Sequence, residues 1–192
     1  EGNIFKIPFT FNIEKTVSYL VNSKINFESK KLKLKIYNQS FKKSNDLIDG
    51  LNTLSFLNSK ISTQYNIKKK LISFKFDPSR TKDSNIDYNG KLSLNPFDLD
   101  LNINLKKYDI NKLFNNSSLI KEFIKTKLFF NENISTNITI NIDSNKYDKI
   151  FKSTIIKFNA INGSINFDNS KLVNKKIGSL EINRSNLFFE DE

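Results

Sequence analysis

Apolar and polar residues alternate along most of the chain. In the stretch "NPFDLDLNINLK", residues 95–106, apolar side chains recur at every second position and the residues between them are Asp or Asn: Phe97, Leu99, Leu101, Ile103 and Leu105. Successive side chains of a strand point to opposite faces, so this segment predicts a strand with one apolar and one polar face. The pattern leaves open whether the apolar face is an ordinary core or a surface that carries an apolar ligand.

The same alternation begins near the start of the chain. In "NIFKIPFTFNI" it involves Phe5, Ile7, Phe9, Phe11 and Ile13, and this segment predicts a strand whose Pro8 suits an edge position. Further alternating segments, separated by short polar turns, follow to the end of the chain. The sequence therefore predicts a mainly β fold, a long antiparallel meander. Such strands bury their apolar face inside a closed barrel or a sandwich, whereas an open, curved sheet leaves it as a groove.

Two segments depart from the alternation. Residues 44–57 include apolar positions at helical spacing, but Gly50 disfavours a helix, and we interpret this segment as an irregular turn that leads into a strand. In "SSLIKEFIKTKLFF" the apolar residues form one helical stripe, with Ser117 or Ser118 as a possible N-cap. This pattern predicts one amphipathic helix near 110–128.

The composition limits the classes of function. The chain has 192 residues with 31 basic and 20 acidic side chains, a net charge of +11, and it contains neither Cys nor His. Disulfides and thiolate or imidazole chemistry are thereby excluded. A lysine-rich, solvated surface in an Asn- and Lys-rich sequence explains the charge first, while attraction to nucleic acid or to anionic lipid is the alternative. No apolar run is long enough to span a bilayer.

Candidate catalytic and metal sites are weak. Asp83, Asn85 and Asp87 have the spacing of a calcium loop, but Tyr88 and Leu94 stand where that loop needs Gly and Glu. The pair Asp98 and Asp100 lies on the polar face of a predicted strand, where carboxylates are usually only solvated. No nucleophile elbow or phosphate-binding loop is present. We therefore expect no enzyme, no metal, no cofactor and no nucleic-acid partner.

Short motifs in the last third resemble the C-terminal region of AsmA-like proteins. They are Ile161-Asn162-Gly163 with the following Ile165 and Phe167, then Lys176-Ile177-Gly178, and the closing Ser185-Asn186-Leu187. The segments "FKIPFTFNI" and "YNGKLSLNPFDLDLNI" are also similar to strands of that family, so the resemblance extends over nearly the whole chain. It implies a β-groove of taco-like cross-section, related to the bridge-like lipid transfer proteins.

The resemblance also implies a function. AsmA-like proteins are typically anchored in the bacterial inner membrane, with the rest of the chain in the periplasm. Their implied role is phospholipid transport between inner and outer membranes and support of outer-membrane assembly, together with envelope or outer-membrane proteins. This chain would then be a single β-groove segment, 1–192, from a larger protein whose membrane anchor lies elsewhere.

On this hypothesis phospholipid acyl chains lie on an apolar groove and head groups lie at its rim. The groove candidates are Phe5, Ile7, Phe9, Phe11, Phe97, Leu99, Leu101, Ile103 and Leu105, and the rim candidates are Lys31, Lys33 and Lys35. The alternative is a structural or interaction module of an envelope protein, in which the same apolar residues close into a dry core.

Overall fold

A computed structural model describes residues 2–4, 7–15, 23–30, 33–56, 59–80, 85–107, 128–144 and 151–189. The described residues form two compact units, 1–84 and 85–192. Both consist of β-strands with short turns, so the predicted mainly β fold is confirmed. The first unit contains β1 Gly2–Ile4, β2 Ile7–Lys15, β3 Ser23–Ser29, β4 Leu34–Ser44, β5 Leu47–Phe56, β6 Ser59–Lys68 and β7 Leu71–Phe76. The second contains β8 Ile86–Leu94, β9 Phe97–Lys106, β10 Ile134–Asp143, β11 Ser153–Ile161, β12 Ser164–Asn166, β13 Ser170–Asn174, β14 Gly178–Ile182 and β15 Leu187–Phe188.

The first unit is one antiparallel meander in which each strand pairs with the next along the chain, from β1 to β7. In the described part of this unit, the only other element is a 3₁₀ turn, Pro78–Arg80. The hairpin β6–β7 turns at Lys69 and Lys70, whose φ angles are both positive, 48° and 72°. Two positive φ angles are typical of the two-residue turns that match the twist of paired strands. The turn geometry of β6–β7 thus matches the antiparallel pairing of its two strands.

The second unit is a mixed sheet that branches at β11. The strand order is β8-β9-β10-β11-β12-β15, and β13 pairs both with the first residues of β11 and with β14. A 3₁₀ turn at Leu128–Phe130 precedes β10. Among the described residues, neither the first unit nor the second has a ladder that joins its outermost strands. Each sheet is therefore open, as the predicted meander requires.

One pairing differs from the predicted antiparallel arrangement. Strands β9 and β10 are parallel, with Phe97 opposite Ile134 and Lys106 opposite Asp143. Parallel neighbours need a crossover of about a dozen residues or more, and the connection 107–133 is long enough to supply it. The predicted helix near 110–128 falls in that connection. It lies outside the described residues except for Leu128, which begins the 3₁₀ turn.

The segment 44–57 is more regular than predicted. Only Asn45 and Asp46 form a turn, and β5 runs through the whole of Leu47–Phe56, including Gly50. Helical spacing in this segment was misleading because pairing with both β4 and β6 decides its conformation. Gly50 is required by packing: a Cβ atom there would lie 2.0 Å from Cζ of Tyr65 on the neighbouring strand.

Candidate functional site

The pairing register of the first unit joins apolar residues of five strands into one row. Directly paired residues lie on the same face of an antiparallel sheet, and the register runs from β2 to β6 without a break. At a strand spacing of about 4.8 Å, five strands span about 19 Å. We call this row the apolar track, and it consists of Phe11, Phe27, Ile36, Leu54 and Ile61.

The apolar track is only partly shielded from solvent. Phe11 is 48% exposed, its face neighbour Ile13 is 51% exposed, and the other four members of the track are of intermediate burial. The ring of Phe27 stacks on that of Phe9, with centroids 5.2 Å apart. In the described part of this unit all strands belong to one sheet, so no second layer covers the track. Within the described part of the first unit, the track is thus an apolar row on a single sheet, exposed at Phe11 and half-buried at its other members.

A polar row lies beside the track on the same face. Asn38, Asn52 and Thr63 are paired across β4, β5 and β6, and the Tyr65 hydroxyl donates a hydrogen bond to Oδ1 of Asn38 at 3.0 Å. The side-chain oxygen of Asn52 is buried and has no hydrogen-bond partner among the described residues. A buried, unpaired acceptor costs about 1–3 kcal/mol in a dry environment. This row therefore places polar side chains beside the apolar track, and one of their oxygen atoms is buried without a described partner.

Polar residues and three cations line a shallow depression on the opposite face. Lys35, Ser55 and Lys60 are paired in one row across β4, β5 and β6, with Tyr37 and Thr53 beside them. Arg80 also lines this depression, which has a volume of about 660 Å³. Thus the two faces of the first unit are chemically distinct, as strand alternation requires.

A buried aspartate fixes the 3₁₀ turn that carries Arg80. Asp77 is 2% exposed, and its Oδ1 accepts hydrogen bonds from the hydroxyl of Ser79 at 2.6 Å and from the backbone N–H of Ser79 at 3.1 Å. The backbone N–H of Asp77 donates to the carbonyl of Ser62 at 2.8 Å. The hydrogen bond from the Ser79 side chain is the main cause that lowers the pKa of Asp77, with Gln64 and the Arg80 charge acting in the same direction. Asp77 is therefore an ionised, buried anchor.

The second unit brings the other predicted groove residues together on one face. Alternate residues of β9 pair with alternate residues of both β8 and β10, so that three strands contribute to this apolar face. Leu105 is 8% exposed, and the rest of the predicted set is of intermediate burial. The set that lies on this face is Phe97, Leu99, Leu101, Ile103 and Leu105.

Part of this face in the second unit is a packed core. Leu105 and Ile142, the latter 3% exposed, contact a shell that includes Phe151 and Leu172. Further along the face, Phe158 lies between two other rings, with centroids 5.0 Å from Phe129 and 5.7 Å from Phe167. On this face of the second unit, neighbouring strands and the residues that flank them thus pack Leu105 and Ile142 into a core.

The remaining predicted residues are distributed as follows. Phe5 and Lys31 lie outside the described residues, and Ile7 begins β2. Lys33 is exposed in the turn before β4, with a φ of 51°. Lys35 lies on the polar face, opposite to the apolar track, where its Nζ is 3.0 Å from Oε1 of Glu28. Binding of head groups by these lysines stays a prediction.

The sequence interpretation missed four of the five track residues. Phe27, Ile36 and Ile61 belong to alternating segments and Leu54 lies in the segment 44–57, but only the pairing register reveals that they align with Phe11. No local signal in the sequence specifies that register, because the turns that set it include residues without strong turn propensity. The row could have been inferred only if the strand pairs had been known.

The described residues show no alternative chemical site. No group of three or more carboxylates with metal-binding geometry is found in the part of the chain that the structure describes. Asp98 and Asp100 are exposed on the polar face of β9. No described helix has the length and apolarity needed to cross a membrane.

Comparisons with known proteins identify no relative. No protein-family model matches the chain, no curated protein matches it, and no solved structure matches its fold. The geometry of the two apolar faces is therefore the basis for any functional proposal.

Proposed function

We propose that this chain is a non-enzymatic, lipid-binding β-groove segment of an AsmA-like protein in the bacterial periplasm. Its apolar faces would carry phospholipid acyl chains and so support phospholipid transport between inner and outer membranes. The observation that carries this proposal is the apolar track of the first unit, which crosses five strands and has no second layer of that unit's described strands over it.

The track has the dimensions and chemistry for an acyl chain. Its length of about 19 Å follows from the strand spacing and suits an extended chain that crosses the strands. Each buried CH₂ contributes about 0.8 kcal/mol, so a chain laid along Phe11, Phe27, Ile36, Leu54 and Ile61 would be retained without any polar contact. Transport along such a surface needs no reaction. It needs only a continuous apolar path.

Native mass spectrometry of the chain purified from a bacterial lysate that contains membranes tests this proposal. We expect added mass that fragments to phospholipid. The variant Phe27→Gln, in the middle of the track, should lose most of that mass. Its matched control is Asn26→Gln, the neighbouring residue on the other face of β3, which should keep the lipid.

The circular dichroism spectrum of each variant shows whether the strands are retained. The proposal would be contradicted if the folded wild-type chain were detected only at the 22.3 kDa mass of the protein alone and organic extraction recovered no phospholipid. Equal lipid loss in Phe27→Gln and Asn26→Gln, with both variants folded, would place the lipid elsewhere.

The second candidate function is a structural or interaction module with a dry core. The packing of Phe151 and Leu172 on the Leu105–Ile142 pair favours it in the second unit. A hydrophobic dye distinguishes the two proposals, because an open track binds it strongly and a dry core hardly binds it. Loss of dye fluorescence in Phe27→Gln but not in Asn26→Gln would favour the groove.

A further inference from the structure

The turn between β13 and β14 exposes an apolar side chain. Ile177 is 89% exposed at this turn, far more than the other large apolar residues of the described chain. Lys175 and Lys176 precede it and are also exposed. A single exposed apolar side chain is common on protein surfaces, so a role for Ile177 has to follow from its fixed backbone and from the cations around it. We call residues 174–178 the hairpin tip.

The hairpin tip has a fixed backbone. Oδ1 of Asn174 accepts hydrogen bonds from the backbone N–H groups of Lys176 at 2.7 Å and of Ile177 at 3.1 Å. Gly178 has a φ of 115°, which disfavours side chains, and no atom lies within 4 Å of a Cβ placed there. Asn174 is also paired with Gly178 across the ladder. The tip is therefore a pre-formed projection that holds Ile177 away from the sheet.

The hairpin tip lies at the basic end of the second unit. The register places Lys106, Asp143, Ser153 and Val173 in one row at the ends of their strands, next to the tip. Lys107 and Lys152 flank that row, and the backbone N–H of Lys152 donates to the carbonyl of Val173 at 2.7 Å. Among the described residues, neither Lys175 nor Lys176 is within salt-bridge distance of a carboxylate.

The other end of the same unit carries an apolar residue in a different electrostatic setting. Leu94, at the β8–β9 turn, is 63% exposed. Leu94 pairs with Phe97, which is opposite Ile134, so this turn is at the far ends of the strands from the hairpin tip. The acidic residues at this end include Asp98, which pairs with Ser93, and Glu132, two residues before Ile134. The two ends thus share apolar exposure and differ in charge.

We propose that the hairpin tip is a membrane-contact site that inserts Ile177 among the head groups of an anionic bilayer surface while Lys175 and Lys176 bind the lipid phosphates. An exposed apolar side chain with flanking cations fits the interface of such a bilayer, where both the apolar and the electrostatic contribution are favourable. An acidic protein partner would satisfy the lysines but would also need a matching apolar pocket for Ile177, whereas the interface of an anionic bilayer offers both contributions anywhere on its surface. This site consists of other residues than the apolar track, so the membrane contact can be tested independently of lipid binding on the track.

Single-tryptophan variants of the full 192-residue chain test the contact, because the natural sequence has no Trp. Ile177→Trp should shift its fluorescence emission to shorter wavelength with vesicles of phosphatidylglycerol and phosphatidylcholine, and hardly shift with phosphatidylcholine alone. Leu94→Trp is the matched control at the acidic end and should respond to neither. Equal shifts in both variants would overturn the proposal. So would a shift of Ile177→Trp that depends on protein concentration without vesicles, because a second copy would then cover the tip.

Charge variants test the role of the lysines by vesicle co-sedimentation. Each lysine near an anionic surface contributes about fivefold to binding, so Lys175→Gln combined with Lys176→Gln should weaken partitioning about 30-fold. The matched control is Lys69→Gln with Lys70→Gln, a second two-lysine turn. An equal loss in this control would show general attraction to the basic chain and would overturn the proposal.

Ile177→Ser should weaken vesicle binding about tenfold or more because an apolar anchor is lost. It should leave the phospholipid mass seen by native mass spectrometry unchanged, which distinguishes this site from the groove.

Discussion

The apolar faces of the two units follow the same alternating pattern but meet different surroundings. In the first unit Ile13 is 51% exposed and the apolar track lies on a single sheet. In the second unit Ile142 is 3% exposed because Phe151, Leu172 and neighbouring strands pack around it. Alternation therefore specifies which side chains share a face, whereas strand pairing and flanking residues that the pattern does not specify decide whether that face is a core or a surface.

The largest expected effect on stability distinguishes a buried apolar position of the second unit from an exposed one of the first unit. Ile142→Ala should lower the free energy of unfolding by about 3 kcal/mol, since it leaves a cavity in a packed cluster. The same substitution at Ile13 should cost less than about 1 kcal/mol, because half of that side chain is already in water. Urea denaturation of both variants, followed by circular dichroism, measures the difference. Equal losses would mean that the track of the first unit is covered in solution.

The binary pattern predicted more of the fold than of the candidate site. Phe97, Leu99, Leu101, Ile103 and Leu105 share one face because alternation alone determines it. The parallel pairing of β9 with β10 was not predictable from the same residues, since an alternating strand pairs equally well in either direction. Nor was the packing of Phe158 predictable, because Phe129 lies in a 3₁₀ turn and the alternation that includes Phe167 does not specify what it packs against. Side-chain faces are local properties, and register and cover depend on contacts between distant segments.

Gly50 illustrates this limit from inside the first unit. In the sequence it disfavours a helix, but in the structure it admits the Tyr65 ring, whose hydroxyl bonds to Asn38 across the face. Here the otherwise open face is locally packed, and the packing depends on one missing side chain. The face beside the track is thus tightly packed where Tyr65 lies over Gly50.

Gly50→Ala should lower the free energy of unfolding by about 2 kcal/mol, because the added Cβ forces the Tyr65 ring aside and breaks its hydrogen bond. A double-mutant cycle with Tyr65→Ala isolates this clash, and the alanine at position 50 should then cost much less. Denaturation of the four proteins measures the coupling. If Gly50→Ala lowers the free energy of unfolding by the same amount in the Tyr65→Ala protein, its effect comes from the strand backbone and not from the Tyr65 ring.

The smallest expected effect concerns the polar side of the first unit. Asp77→Asn keeps an oxygen that accepts from Ser79 but removes the charge, so it should lower the free energy of unfolding by about 1 kcal/mol at neutral pH. The pKa of Asp77 is lowered from 3.8 in the folded chain, so its ionised form stabilises the fold above pH 3.8, and this contribution is lost as the pH falls through the lowered pKa. The difference between wild type and variant should therefore shrink below pH 3.8.

Urea denaturation at neutral pH and at several values below pH 3.8 measures this change, with Asp98→Asn on the exposed polar face of β9 as the control. The control should change stability little at any pH, because its carboxylate is solvated. If Asp77→Asn also leaves the free energy of unfolding unchanged at every pH, the hydrogen bonds from Ser79 do not depend on the charge of Asp77. The stability of the first unit would then come from strand pairing and from the packing of Tyr65 over Gly50. The first unit would differ even more from the second, which has a packed core.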